Sequence, residues 1–435
     1  MTAKAGLKTL NHREDWQTAR VKFLFKRETR PVLETDEVIT AFRDGTVTLR
    51  KNRREDGFTF AEQEIGYQGV EPGDLVIHAM DGFAGAIGVS DSRGKGSPVL
   101  TVATPITHLD VRFWGYYLRN LAITGFIQSL AKGIRERSTD FRWKDVSNLL
   151  VNFPDLSTQR EIADFLDRET ARIDLLIEKK QKLVALLGEK RSAVITCAVT
   201  GHTTTSFTKT EAPVEWRWIK LSHAFPKIGS GTTPPDDQKN YDENGEGTNW
   251  VTSSELRETK IKITKKQVSS AALKRFPTLR VYKSGSVLFA MYGATIGRLG
   301  VLEEPACCNQ ACCVFERSQV IHNDYLVYWF QHRRNALVAL SVGGGQPNLS
   351  QQDLRNEKVF CPDLSTQREI TDFLDRETAR IDAVKDKTLS SIDRLKEYRS
   401  ALITAAVTGQ IDVTTYAKSG ATDRKLDAIQ KEMGA

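Results

Sequence analysis

Pro154-Asp155-Leu156-Ser157-Thr158-Gln159-Arg160-Glu161-Ile162 recurs without a change as Pro362 through Ile370. The stretch from Asp164 to Asp174 then returns as Asp372 to Asp382. The register holds without a gap to Ala198-Val199-Thr200-Gly201, answered by Ala406-Val407-Thr408-Gly409 at a constant displacement of 208. Self-similarity of this length marks an internal duplication, and it organises the rest of the chain.

Both copies read as long helices. A proline precedes each start, and Thr158 with Glu161, like Thr366 with Glu369, has the spacing of a capping box. Apolar residues follow at three- and four-residue steps: Ile162, Phe165, Leu166, Ile173, Leu176, Val184, Leu187 and Val194. The second copy gives Ile370, Phe373, Leu374, Ile381, Val384, Ile392, Leu395 and Leu402. That is a heptad-like seam with charged residues on the other faces, closed by Gly201 and Gly409 as C-terminal glycines. A helix of roughly 40 residues spans about 60 Å, and its single apolar stripe requires a cover. Two matched stripes in one chain predict mutual antiparallel pairing, against the alternative that each helix lies on its own domain. Gly188 departs from the pattern and is expected to mark a local kink.

The segments before the helices differ far more. Each begins with a tryptophan and a β-like run, Trp16 to Phe25 and Trp216 to Phe225. Each has a glycine-anchored pair of strands: Gly73 to Ile77 with Gly82 to Val89, and Gly285 to Phe289 with Gly293 to Val301. Each then carries an aromatic-rich helix, Phe113 to Leu118 or Tyr325 to Phe330. The expected fold class is α+β, with two mixed α/β globular domains, each followed by a long helix, the helices pairing as an antiparallel coiled coil. The expected boundaries are 1–153 and 205–361 for the globules, 154–204 and 362–412 for the helices, and 413–435 for a C-terminal tail.

Composition agrees with a folded protein: 40% hydrophobic and 27% charged residues over 435 positions. Net charge is +7, consistent with a polyanionic partner without identifying one. No run approaches the ~18 apolar residues of a membrane span, and Met1 to Leu10 lacks the pattern of a secretory signal. A cytoplasmic location is the expectation. Of six cysteines, four form Cys307-Cys308-Asn309-Gln310-Ala311-Cys312-Cys313. Zinc knuckles want pairs two to four residues apart, whereas these pairs are vicinal, so buried reduced thiols in strands are expected.

Catalytic signatures fail one by one. Gly94-Lys95-Gly96-Ser97 has a glycine where a phosphate-binding loop needs a hydroxyl after its lysine. No dinucleotide-binding glycine turn and no His-Glu-x-x-His occurs. Thr233-Pro234-Pro235-Asp236 does not fit the Asp/Asn-Pro-Pro-aromatic pattern of a DNA amino-methyltransferase. No catalytic residue, cofactor or metal is expected, which leaves recognition.

The phrase Pro-Asp-Leu-Ser-Thr-Gln-Arg-Glu-Ile at the head of two long helices resembles the spacer regions of Type I restriction-modification specificity subunits. In the second globule, Gly229 to Pro234, Trp250-Val251-Thr252, Gly293 to Gly297, Cys308 to Ala311 and Gly344 to Ser350 resemble further milestones of that family. The first globule departs from it, with Lys132-Gly133-Ile134-Arg135-Glu136-Arg137 where the second has Gly-Gly-Gln-Pro-Asn. The resemblance implies a non-catalytic DNA reader with an asymmetric bipartite target, each globule reading one half-site. Two methyltransferase subunits and, in the full complex, restriction/translocase subunits are its implied partners. Alternatives are a stand-alone DNA-binding protein with a coiled-coil spacer, an enzyme with a cryptic nuclease site, and a protein-binding scaffold.

Base edges are read by paired donors and acceptors, and phosphates by Lys, Arg, hydroxyls and free amides. The candidate DNA contacts in the second globule are Thr232, Thr233, Tyr292, Arg298, Gly344, Gly345, Gln346 and Asn348. In the first they are Arg93 and Lys95, placed in a glycine loop, and the basic group Lys132, Arg135, Arg137, Arg142 and Lys144. Each competes with a plainer role as a turn or a solvated charge. Trp114, Tyr116, Tyr117, Tyr328 and Trp329 follow helical spacing and read as core, and Arg168 and Glu169 as partner-facing or solvated.

Overall fold

The computed structural model describes residues 13–53, 65–127, 141–201, 215–341 and 348–431. In chain order, the first globule contains β1 (Gln17–Arg20), β2 (Phe25–Arg27), β3 (Ile39–Ala41), β4 (Val47–Leu49) and β5 (Gln68–Val70). It continues with β6 (Leu75–His78), β7 (Ile87–Val89), β8 (Gly94–Gly96), β9 (Leu100–Pro105), α1 (Val111–Ile123), α2 (Trp143–Asn148) and β10 (Leu150–Phe153). The long helix α3 (Leu156–Val199) follows. The second globule starts with β11 (Arg217–Lys220), α4 (Leu221–Ala224), β12 (Ile228–Ser230), β13 (Tyr241–Asp242), β14 (Thr248–Val251), β15 (Thr259–Ile261) and β16 (Gln267–Val268). It ends with α5 (Ser270–Arg275), β17 (Val287–Ala290), β18 (Leu299–Leu302), β19 (Ala306–Cys308), β20 (Cys312–Phe315), α6 (Asn323–Ala339), α7 (Gln351–Asn356) and β21 (Lys358–Cys361). The second long helix, α8 (Leu364–Val407), is followed by α9 (Val413–Lys418) and α10 (Ala421–Lys431).

The compact units do not follow this order. One unit is Met1–Lys182 with Lys387–Ala435, and the other is Leu183–Asp386. Each globule therefore packs with half of each long helix. In unit 1, Ile162, Leu166 and Ile173 from the start of α3 share a core with Leu402, Ile403 and Val407 from the end of α8. In unit 2, Ile195 and Val199 from the end of α3 share one with Leu374 from the start of α8. The helices thus run antiparallel in each unit, as the matched seams require.

An ion pair fastens each pairing. Arg399 Nε and Nη2 donate to the two oxygens of Asp174 at 2.9 and 3.0 Å in unit 1. Arg191 Nε donates to Asp382 at 3.1 Å in unit 2. Asp382 and Arg399 are the 208-displaced counterparts of Asp174 and Arg191, so the repeat builds its clasp twice.

The repeated phrase also ties each long helix to its globule. Gln159 and Gln367 are buried, donating from Nε2 to the carbonyls of Pro154 and Pro362. Their Oε1 atoms accept the backbone N–H of Asp110 and His322, at the heads of α1 and α6. The Tyr116 and Tyr328 hydroxyls donate to Asp167 and Asp375 at 2.8 and 2.6 Å. A buried amide must satisfy both its ends, which explains why this phrase recurs where the surrounding sequence does not.

The sheets show a second displacement. In unit 1 the order is β2-β9-β6-β7, and in unit 2 it is β12-β20-β17-β18-β15. Leu75 pairs with Ala103 and His78 with Leu100; Val287 pairs with Phe315 and Ala290 with Cys312. These partners differ by 212 at every position, and α1 and α6 begin at Val111 and Asn323 in the same register. The displacement returns to 208 at Phe141 and Leu349, whose N–H groups donate to Ala79 and Met291, both at 3.0 Å. Trp114 and Trp329 are fully buried over these sheets, Tyr117 and Tyr328 are buried, and Tyr116 is half-buried.

Four expectations need correction. The helices begin at Leu156 and Leu364, so Thr158 and Thr366 lie inside the first turn. The caps are Asp155 and Asp363, whose carboxylates accept N–H bonds from Thr158 and from Ser365 and Thr366. A charged acceptor there meets both the free amides and the positive end of the helix dipole. α3 continues unbroken through Gly188. Val384, placed in the seam by spacing, is 41% exposed. Glu169 is buried rather than solvated, because α9 and α10 lie on that face of α3. There Arg172 pairs with Asp423 and Tyr416 meets Phe165 edge-on.

Candidate nucleic-acid interface

One end of the unit 2 sheet gathers the loop after β12, the turn between β19 and β20, the loop after β17, and Asn348. The β12 loop is pinned by backbone: Thr232 N–H donates to the Cys308 carbonyl at 3.0 Å, and Trp250 Nε1 donates to the Thr232 carbonyl at 3.0 Å. Gly231 makes this approach possible, since a Cβ there would lie 1.6 Å from the Cys308 oxygen. Thr233 Oγ1 then donates to Gln310 Oε1 at 2.6 Å. Tyr292 bridges to Asn348 across an antiparallel step, next to the Leu349 to Met291 bond. Arg298 is exposed at the start of β18, its carbonyl accepting from Ala290.

Five expected residues, Thr232, Thr233, Tyr292, Arg298 and Asn348, therefore meet at one rim. Gly344, Gly345 and Gln346 lie outside the described residues. Gln310 belongs to the same rim, and its signal was already in the Cys308 to Ala311 milestone. The rim presents hydroxyls, amides and one guanidinium, the groups that pair with base edges. Beneath it, Cys307, Cys308, Cys312 and Cys313 are buried and free of disulfides. Burial pushes the Cys307 thiol up to about 11 and the Cys313 thiol higher still, which keeps both protonated.

In unit 1 the expected residues scatter. Arg93 donates to Asp36 at 3.1 Å and to Glu71 at 2.8 Å, part of a cluster in which Arg30 pairs with Asp74. Lys95 is in strand β8 opposite Gly69, not in a loop. The reason is that Gly94 and Gly96 flatten the chain against β5 and Glu37 rather than turning it. Arg142 and Lys144 are exposed at the start of α2, in the register of Ser350 and Gln352 beside Asn348. Lys132, Arg135 and Arg137 lie outside the described residues.

What the sequence reading missed in unit 1 is a cleft of about 700 Å³ between the β3–β4 hairpin and the ends of β6 and β9. Phe42, Arg43, Asp44, Arg53, His78 and Asp81 line it, with Arg50 behind. Arg43 pairs with Asp81 at 2.8 Å and Arg53 with Asp44 at 2.6 Å, and the Arg53 guanidinium lies 4.6 Å from the Phe42 ring centre. The Asp44-Gly45 dipeptide between two apolar runs was the available hairpin signal. Burial holds the His78 imidazole below its ordinary value. Its Nδ1 accepts N–H bonds from Met80 and Asp81, so the neutral ring carries its proton on Nε2.

A family model, the Type I restriction modification DNA specificity domain, matches residues 213–394. The chain is 22% identical over 366 residues to the Type I restriction enzyme EcoBI specificity subunit of Escherichia coli, covering 79% of this chain and 74% of that one. It is 20% identical over 360 residues to the StySPI specificity subunit of Salmonella potsdam, covering 79% and 76%. A solved chain, from a study of complex assembly and conformational transition of the type I R-M system, superposes with a TM-score of 0.67 at 16% identity. That match covers 92% of this chain and 99% of the other, and it shows the same fold. With two globules on a duplicated pair of long helices, the chain is similar in sequence to Type I restriction enzyme specificity subunits, carries a match to their DNA specificity domain over residues 213–394, and shares the fold of a chain from a type I R-M system.

Proposed function

We propose that this chain reads an asymmetric, bipartite DNA target, one half-site with each globule, and carries methyltransferase and nuclease subunits to it. The match of residues 213–394 to the Type I restriction modification DNA specificity domain supports DNA sequence recognition, and one observation supports the bipartite form. The two units repeat a strand register and a helix clasp while differing at the sheet rim, where residue types decide what is read. Unlike rims imply unlike half-sites, and helices of fixed length imply a fixed unread gap.

In this reading Thr232, Thr233, Tyr292, Arg298 and Asn348, with Gly344, Gly345 and Gln346, contact one half-site. Arg93, Lys95, Arg142 and Lys144, with Lys132, Arg135 and Arg137, contact the other. Two methyltransferase subunits dock on the chain, and restriction/translocase subunits complete the complex. Adenine methylation and cleavage belong to those partners.

The test is modified-base sequencing of a host expressing the chain with its methyltransferase. Methyladenine is expected in one split, asymmetric motif. Exchanging residues 1–150 for the first globule of another specificity subunit should change one half of that motif only. A change in both halves would end the modular account, and DNA cleavage by the purified chain with Mg²⁺ alone would end the non-catalytic one.

A further inference from the structure

We propose that the unit 1 cleft is a base-edge reading site, with the Arg43–Asp81 and Arg53–Asp44 pairs presenting donor and acceptor together to one half of the DNA target. The inference rests on the DNA-reading function proposed above and assigns it to residues that the sequence did not single out.

Position is the first argument. His78 closes β6 opposite Leu100, as Ala290 closes β17 opposite Cys312. The next residues in the same register are Met80 and Tyr292, 49% and 37% exposed. The turn before Leu100 holds Ser97 where unit 2 holds Asn309, and both turns close with the same bond: Leu100 N–H to Ser97, Cys312 N–H to Asn309. The cleft thus occupies the rim that carries Thr233, Gln310, Tyr292 and Asn348 in the other unit.

Chemistry is the second. A phosphate site wants cations without carboxylates, because a nearby negative charge opposes the ligand. This cleft alternates them. Each guanidinium donates an N–H to its aspartate and is oriented by it, Arg43 being 65% exposed and Arg53 40%. Arginine forks suit guanine O6 and N7, and aspartate oxygens suit the amino group of cytosine. The Nε2 donor of His78 adds a directional group, and Phe42 backs Arg53 with an apolar face.

The hairpin is placed to do this. Gly88 in β7 lets the Gly45 carbonyl approach so closely that a Cβ at 88 would lie 1.9 Å from it. The turn bearing Arg43 and Asp44 is therefore fixed against the sheet rather than swinging free.

The experiment uses the complete complex with its methyltransferase and reads the methylated motif for Arg43→Gln, Arg43→Lys, Arg53→Gln and Asp81→Asn. The expected result is relaxation at one or two positions of a single half-site. Discrimination there should fall about tenfold or more, the other half staying unchanged. Arg43→Lys should relax the motif as Arg43→Gln does, since a lysine keeps the charge and loses the fork. The intact half-site reports that each variant is folded. An unchanged motif in every variant overturns the proposal. So does full rescue by Arg43→Lys, or uniformly weaker methylation without loss of sequence preference, either of which means a phosphate contact. If the unsubstituted complex shows no split motif, the DNA-reading function falls first and this site falls with it. If that motif is present and only the variants are silent, the site alone is wrong.

Discussion

Units 1 and 2 place the same strands in the same register and close the same helix pair with counterpart ion pairs, yet their rims share almost no side chain. Met80 stands where Tyr292 does, Ser97 where Asn309 does, and an arginine-bearing hairpin lies against Gly88 where Leu256 and Ile261 lie against the counterpart Gly300. The scaffold tolerates this because the rim loops are anchored by backbone. Ala79 and Met291 donate to the carbonyls of Val99 and Ala311, bonds that specify no side chain. A reader built this way can change what it reads without changing how it folds.

The comparison breaks most sharply in the cores. Trp114 and Trp329 are each fully buried in the core of their own unit, and replacing either with Ala should cost about 3–5 kcal/mol. Limited proteolysis should open only the unit that carries the substitution. Joint loss of both units would mean that they unfold cooperatively and are not separate readers on one frame.

Gly88 and Gly300 test the difference next. They are register counterparts, but a Cβ at 88 meets the Gly45 backbone oxygen, whereas one at 300 meets the movable side chains of Ile261 and Leu256. Gly300→Ala should cost about 1–3 kcal/mol, as overpacking does, and Gly88→Ala more. Hydrogen exchange should show the extra loss in residues 39–49.

Smaller effects come from the clasps. Double-mutant cycles on Asp174 with Arg399 and on Asp382 with Arg191 should each return about 0.2–1 kcal/mol, the range for partly exposed pairs. The forked Asp174–Arg399 pair should lie at the upper end. Equal coupling in both would mean that the second guanidinium bond adds nothing.

The pH dependence is smaller again. Burial lowers the His78 and His332 imidazoles below 6.5, one in each unit. The unfolded chain then binds protons more readily than the folded one. Their contribution is complete above about pH 6.5 and is lost as pH falls through the lowered values. His78→Gln and His332→Gln should each flatten the stability profile between pH 7 and 5, measured by denaturant midpoint. A profile unchanged by either would show that neither ring titrates with folding.

Much of this was legible in the residues. A gapless repeat announced the long helices, because a heptad seam repeats its apolar spacing whatever surrounds it. The caps were misjudged by three residues, since Asp155 and Thr158 both carry capping oxygens and only geometry shows which one meets the free amides. The 212 register was hidden for another reason. Strand positions need only be apolar to pack, so Leu75 and Val287, or Leu100 and Cys312, keep the fold without keeping identity. The candidate site was legible in part: the Gly231 turn lets Thr233 reach Gln310, and Tyr292 meets Asn348 past the end of β17. Arg43 and Arg53, by contrast, sit among 62 lysines and arginines with nothing local to distinguish them.

The sequence by itself determined the duplication, the antiparallel helix pair and the resemblance to Type I specificity subunits, because those follow from periodicity and from a repeated phrase whose glutamine side chains are buried and bonded at both ends. Only the tertiary structure decided which halves pack together, where the C-terminal segment lies and which charges face the rim. Those depend on contacts between residues far apart in the chain, and no local pattern encodes such contacts.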